Sequence, residues 1–269
     1  MITVLGASGF IGSRLAKRLE QFKLEFQAFG RDDTLPHTNL GKVIYCIGVT
    51  ADFRSKPFET VEAHVCKLLE LIRTHQFDSL LYLSSTRLYA TAASSDEEQP
   101  LCVSPQNAGD LYNISKLMGE SITLNCGRTG RVVRISNVYG PDSTSDNFLP
   151  SIMRQAVRRE KIVLQTAPDS EKDYVLVDDV VEQLIWIGAE GKEQIYNVAG
   201  GVNVSHRELA EKLQQLTGCD IEFAPHAPVI KFPPISIQRQ RREFGFVPSS
   251  LLRDLPWLVQ LYTEKSLSQ

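Results

Sequence analysis

Met1-Ile2-Thr3-Val4-Leu5-Gly6-Ala7-Ser8-Gly9-Phe10-Ile11-Gly12-Ser13-Arg14-Leu15-Ala16-Lys17-Arg18-Leu19 decides how the chain folds. An apolar run leads into glycines spaced G-x-x-G-x-x-G, and an apolar-periodic segment follows. That is the order of a strand, a tight turn and a helix. Gly6 permits the turn out of the strand. Gly9 lets a diphosphate approach the backbone because no Cβ intervenes, and Gly12 lets the helix pack closely on the sheet. The first N–H groups of the helix have no intrahelical partner and are free for phosphate oxygens, with Ser8, Phe10 and Ile11 completing the turn. The stretch predicts a dinucleotide site for NAD or NADP.

Beyond it, strands and helices alternate. Phe26-Gln27-Ala28-Phe29 reads as a second strand and Val43-Ile44-Tyr45-Cys46-Ile47-Gly48 as a third. The polar residues between them leave hardly any room for a crossover helix. Glu59 to Arg73 places Val61, Val65, Leu68, Leu69 and Ile72 on one helical face. Leu80-Leu81-Tyr82-Leu83 is a near-continuous apolar run, as expected of a strand covered on both sides. A polar loop from Ala90 to Gly109, a helix from Leu111 to Leu124 and a strand at Arg131 to Ile135 follow. Asn137 to Pro141 reads as a turn. Asp178 or Asp179 is expected to cap a helix from Val180. Ser205 with Glu208 forms a capping-box pattern ahead of a further helix.

This alternation predicts an α/β protein with a Rossmann-type, doubly wound parallel sheet and a small C-terminal substrate lobe. Residues 1–141 with 174–200 are expected to form the dinucleotide-binding part. Residues 142–173 with 201–269 are expected to form the lobe.

With 42% hydrophobic residues, 269 residues suffice for such a core. The formal net charge of -3 gives no global positive field, so neither nucleic acid nor an anionic membrane is an expected partner. No apolar run reaches membrane-spanning length, and the expected location is cytoplasmic. Cys46, Cys66, Cys102, Cys126 and Cys219 show no metal-site spacing and read as free thiols. The histidines are scattered, and no metal is expected.

The chemistry-bearing residues lie where this fold puts chemistry. Ser85 follows a strand end. Tyr112 and Lys116, four apart on a helix, share a face. A free phenol titrates near pH 10, too high for an efficient base at neutral pH, and a nearby lysine cation favours the phenolate. Tyr112 is then the acid or base for a sugar hydroxyl, Lys116 its modulator and a ribose ligand, and Ser85 a hydrogen-bonding partner of the same oxygen.

Taken together, these motifs resemble the extended short-chain dehydrogenase/reductase family, in its NAD-dependent epimerase/dehydratase branch. Gly6 to Gly12 matches the cofactor turn, Leu83 to Tyr89 the strand end with the catalytic Ser/Thr, and Tyr112 to Lys116 the Tyr-x-x-x-Lys. Arg134 to Pro141 matches the segment before the lobe. Asp173 to Val180 matches a further family stretch, with Lys172 standing for the usual arginine. The resemblance implies a nucleotide-sugar substrate and a possible homodimer. It also implies backbone near the nicotinamide at Ile47-Gly48 and the following Val49-Thr50.

Family dehydratases carry an Asp-Glu pair directly after the catalytic Ser/Thr. Here those positions are Thr86 and Arg87, which argues against a 4,6-dehydratase and leaves 4-ketosugar reductase and epimerase open. A reductase of a small non-sugar carbonyl compound and a non-catalytic NAD(P)-binding protein are the alternatives. NAD-preferring relatives place an acid at the end of the second strand. This chain has Gly30-Arg31, a lean toward NADP(H), with Asp32 and Asp33 arriving one or two residues late. Thr86, Arg87 and Asn137 are expected on the substrate side, and Arg239 as a phosphate clamp.

Overall fold

The computed structural model describes residues 1–50, 53–142 and 145–267. Its centre is a six-stranded, wholly parallel sheet in the order β2-β1-β3-β4-β5-β9. The strands are β1 (Ile2–Leu5), β2 (Phe26–Phe29), β3 (Lys42–Tyr45), β4 (Ser79–Ser85), β5 (Thr129–Ile135) and β9 (Ile195–Val198). Side chains alternate between the faces, as strand geometry requires. Val4, Ile44, Leu81, Leu83, Val133 and Ile135 meet the helices α1 (Phe10–Gln21) and α6 (Val177–Glu190). Leu5, Val43, Tyr45, Leu80 and Tyr82 form the opposite core. Packed there are α2 (Pro57–Val61) and α3 (Lys67–Thr74), joined by a π turn at Glu62–Cys66, and α4 (Asp110–Leu124). A sheet covered on both faces is the doubly wound arrangement expected from the sequence.

The short second connection has a topological reason. After β2 the chain runs through residues 30–41 without a helix and re-enters as β3 on the far side of β1. β2 is therefore an edge strand, and the strand order reverses at β1. Ligands of open α/β sheets bind at such switch points, and this one lies at the glycine turn.

A second core gathers below the carboxyl edge of the sheet. It contains β6 (Asn137–Tyr139), β8 (Glu171–Leu176) and β10 (Asn203–Ser205) in one small sheet, and β7 (Ile162–Leu164) with β11 (Ile221–Phe223) in another. Helices α5 (Phe148–Val157), α7 (His206–Thr217) and α9 (Leu251–Leu267) cover them. α8 (Gln238–Phe244), within the stretch expected in the lobe, instead packs beside β9, with Phe244 against Tyr196.

Several local expectations are revised. Asn137 to Tyr139 is a strand paired in parallel with Tyr174 to Leu176 before the chain turns at Gly140. α6 starts at Val177, so Asp178 and Asp179 lie in its first turn and neither is the N-cap. Their carboxylates suit the helix dipole there and are taken up laterally: Arg14 donates to Asp178 at 2.5 and 2.8 Å, and Ser249 N–H donates to Asp179 at 2.6 Å. The Ser205–Glu208 capping box forms as expected.

Candidate functional site

The opening turn is shaped by contact. Gly6 has φ 83°, and a Cβ there would lie 2.9 Å from the backbone of Cys46 and Ile47. A Cβ at Gly12 would collide with the Gly6 carbonyl. Gly9 differs. Its φ of -79° suits any residue, and the nearest atom to a Cβ would be Gly6 O at an ordinary 3.4 Å. Nothing inside the protein requires glycine at position 9, so the requirement comes from the space outside it. That space faces the start of α1, which has no side-chain cap and no acid in its first turn. The cradle fits the diphosphate of a dinucleotide. Ser8 is exposed at its rim, and Phe10 reaches across toward Gly140.

At the other end of this groove, Gly30 N–H donates to the Asp33 carboxylate at 2.6 Å, so the late acid does bend back to the end of β2. Asp32 instead pairs with Lys67 at 2.5 Å. Arg31 crosses the groove and donates to the Gly48 carbonyl at 3.0 Å.

The reacting edge is built by β4, the residues after β3, and α4. Lys116 is buried and donates to Leu83 O at 2.8 Å, with its ammonium 6.0 Å from the Tyr112 ring centroid. A Cβ on Gly48 would lie 3.7 Å from that ammonium, so the Ile47–Gly48 backbone does border the lysine. Burial pushes the Lys116 amine down to about 7, opposed by the charge of Glu120 one helical turn on. Tyr112 is 6% exposed. Its phenol is pushed up by burial, against the Ser85 hydroxyl and the Arg87 charge, which both pull it down. Ser85, Tyr112 and Lys116 are thus brought together.

His64 is a member of this group that the sequence reading did not single out. It sits fully buried in the π turn. Val49 N–H donates to its Nε2 at 3.2 Å, so Nδ1 carries the proton and donates to Ser115 Oγ at 2.8 Å. Ser115 in turn donates to the Tyr112 carbonyl at 2.8 Å. Burial and the Lys116 charge hold the imidazole neutral, down at about 2. His64 therefore ties the loop after β3 to the first turns of α4. A polar residue between Ala63 and Val65, on a face otherwise apolar, was the available signal.

On the substrate side, Arg87 lies over the Phe53 ring at 5.3 Å, and that ring packs on Tyr112 at 4.9 Å. Thr86 is buried beside Ser85. Asn137 donates to Asp173 O at 2.8 Å, a bond between β6 and β8. Arg239 is not brought to the site. It donates to Ile195 O at 2.7 Å, at the amino end of β9, and pairs with Glu98 at 2.6 Å. Glu97 and Glu98, from the loop before α4 and far earlier in the chain, hold it there, which local sequence did not reveal.

The sequence profile of the NAD dependent epimerase/dehydratase family matches residues 39–199. The chain belongs to that family. Among curated relatives, a dTDP-glucose 4,6-dehydratase of Streptomyces griseus is 25% identical over 198 residues, 70% of this chain and 59% of the relative's length. Among solved structures, MoeE5 in complex with UDP-glucose and NAD superposes with a TM-score of 0.82 at 21% identity, over 99% of both chains. RMD from Pseudomonas aeruginosa complexed with NADPH gives 0.79 at 23% identity, over 98% of this chain and 99% of the other. These likenesses establish the Rossmann-type fold. For this member of the epimerase/dehydratase family the cofactor class is NAD(P). Among the described residues no helix is long and apolar enough to cross a membrane.

Proposed function

We propose that the chain is an NAD(P)-dependent enzyme acting on a nucleotide-linked sugar, as a 4-ketosugar reductase or an epimerase, with Tyr112 moving the proton. The observation that carries this reading is the convergence of Tyr112, Lys116 and Ser85 at the carboxyl edge of β4. The turn Gly6 to Gly12, the start of α1, the Ile47–Val49 backbone and Lys116 would hold the cofactor. When bound, its nicotinamide supplies or accepts a hydride.

The remaining chemistry falls to side chains of this chain. Burial keeps the Tyr112 phenol protonated at neutral pH, so it is set to give a proton to a ketone oxygen. The Ser85 hydroxyl holds the same oxygen as charge develops on it. In the opposite direction the Lys116 ammonium favours the phenolate that removes a hydroxyl proton. Phe53, packed on the phenol, keeps water from it. Elimination of water would need a second acid and base after Ser85. Thr86 and Arg87 supply neither at neutral pH, which supports excluding a 4,6-dehydratase.

At the adenosine end, Asp33 supports NAD. Its carboxylate beside Gly30 suits ribose hydroxyls as an acceptor and repels a 2′-phosphate, while Arg31 is engaged at Gly48. This reverses the lean toward NADP(H) that Arg31 gave in the sequence.

Reduced-nicotinamide absorbance, followed with a panel of 4-ketosugar nucleotides and their hydroxyl forms, tests the reading. Turnover is expected with NAD(H), and Tyr112→Phe lowers kcat about 10²–10⁴-fold with the nicotinamide still bound. No turnover across the panel by a cofactor-loaded protein overturns it.

A further inference from the structure

The residues after β3 join the two ends of the cofactor groove. A Cβ at Gly6 would meet Cys46 and Ile47 at 2.9 Å, and one at Gly48 would lie 3.7 Å from the Lys116 ammonium. Ile47–Val49 therefore runs from the diphosphate cradle to the reacting edge. Cys46 N–H still donates to Leu5 O on β1 at 2.8 Å. Three residues later a side chain takes over: Val49 N–H donates to His64 Nε2 at 3.2 Å. The imidazole is itself pinned. Tyr45 Oη donates to Ala63 O at 2.7 Å and Tyr82 Oη to His64 O at 3.3 Å, which fasten the π turn to the sheet. Ser115 Oγ sits 2.8 Å from Nδ1 and donates to Tyr112 O at 2.8 Å. The ring also meets the Tyr112 ring edge-on, with centroids 5.3 Å apart at 84°. One buried side chain thus sets the distance between the Val49 backbone and the turn of α4 that carries the phenol.

Resting on the function proposed above, we propose that His64 is a positioning residue for hydride transfer: through Nε2 it holds the Ile47–Val49 backbone, the floor for the nicotinamide, in register with the Tyr112 phenol. The carbon that takes the hydride and the oxygen that takes the proton from Tyr112 belong to one carbonyl group. A floor and a phenol that drift apart by about 1 Å deliver the two out of line. The two ring nitrogens have separable tasks. Nε2 reaches the floor, and Nδ1 reaches Ser115 on α4. Glutamine carries an amide oxygen to the depth of Nε2 and can keep the Val49 bond. Asparagine is one bond shorter, reaches only the depth of Nδ1 and can keep only the Ser115 bond.

The test sets His64→Asn against His64→Gln, with calorimetric titration of each by NADH and by ADP-ribose, which lacks the nicotinamide. His64→Asn is expected to bind ADP-ribose as the wild type does, to bind NADH about tenfold more weakly, and to lower kcat about 10–10²-fold with the KM for the sugar unchanged. His64→Gln is expected to bring NADH affinity and kcat back to within about threefold of the wild type. An equal loss of NADH and ADP-ribose overturns the assignment, because the residue then only supports the fold. Asparagine performing as well as glutamine also overturns it, because the Val49 bond is then not what matters. A test without variants uses protein labelled with ¹⁵N at its five histidines. NADH is expected to move the His64 imidazole signals and ADP-ribose to leave them in place, and signals that ignore NADH overturn the assignment. Wild-type protein that shows this contrast yet turns over no nucleotide sugar overturns the function proposed above and leaves the hold of His64 on the nicotinamide floor standing.

Discussion

Arg134 and Arg87 lie on neighbouring segments of one sheet edge and behave in opposite ways. Arg134, buried on β5, is saturated. It donates to both oxygens of Glu120 at 3.0 and 2.7 Å, to Tyr89 Oη at 2.8 Å and to Glu97 O at 3.2 Å. Ser84 Oγ adds a donation to Glu120 at 2.5 Å, and Tyr89 passes the network on to Asn197 on β9 at 2.8 Å. Arg87 has a buried N–H with no acceptor among the described residues. An arginine that serves the fold carries its anion with it, whereas one that serves a ligand waits for it. The difference separates two kinds of buried charge that look alike in sequence.

The largest effect is expected where the saturated network is broken. Glu120→Ala strands Arg134 in the interior and should cost about 3–5 kcal/mol in urea unfolding. A loss below about 1 kcal/mol would mean that the pair is not holding the edge together, and the contrast with Arg87 would fail. Glu120 also supports the charge on Lys116 one turn away, so this variant should lower the lysine's proton affinity further.

Lys116 sharpens the contrast from the other side, since it is a buried cation that donates to a carbonyl oxygen, Leu83 O, rather than to a carboxylate. Its amine titrates at about 7 when folded, against an ordinary value of 10.5. Between these values the unfolded chain binds more protons, so stability rises with pH. The gain from pH 7 to 8.5 should be roughly 1.5–2 kcal/mol in cofactor-free protein, and Lys116→Met should flatten the slope. The window closes near pH 9. There Cys46, pushed up to about 12 by burial, begins to lose its own stabilising contribution. A flat wild-type profile would show that the lysine is solvated in the absence of cofactor.

A smaller effect is expected at Asp33, an exposed acid that accepts from the Gly30 N–H. Asp33→Ala should shift the ratio of NAD to NADP affinity about tenfold toward NADP, roughly 1.4 kcal/mol. An unchanged ratio in fluorescence titrations would return the choice of cofactor to Arg31.

The sequence made the near contacts legible and hid the far ones. The glycine turn, β2 at Phe26 to Phe29, the Tyr112–Lys116 pair and the Ser205–Glu208 box each depend on residues within a few positions, and each forms where expected. The π turn at Glu62–Cys66 left no mark, because one wider turn shifts the apolar pattern by less than a side chain's reach. Asp178 and Asp179 were misplaced because what fixes them, Arg14 and Ser249, lies 164 and 70 residues away. Arg239 was misread for the same reason: its anions come from a loop 141 residues earlier.

The smallest effect completes the comparison. Arg87→Met removes a buried N–H that none of the described residues accepts, and its stem continues to cover Phe53. The cost of an unmet donor disappears with the guanidinium, so urea unfolding should show a change within about 0.5 kcal/mol or a small gain. Arg134→Met, of the same composition, should lose several times more, since it leaves Glu120 buried with only Ser84 to bond. Equal losses at the two positions would mean that Arg87 is paid for inside the fold after all, and its open N–H would then say nothing about a ligand.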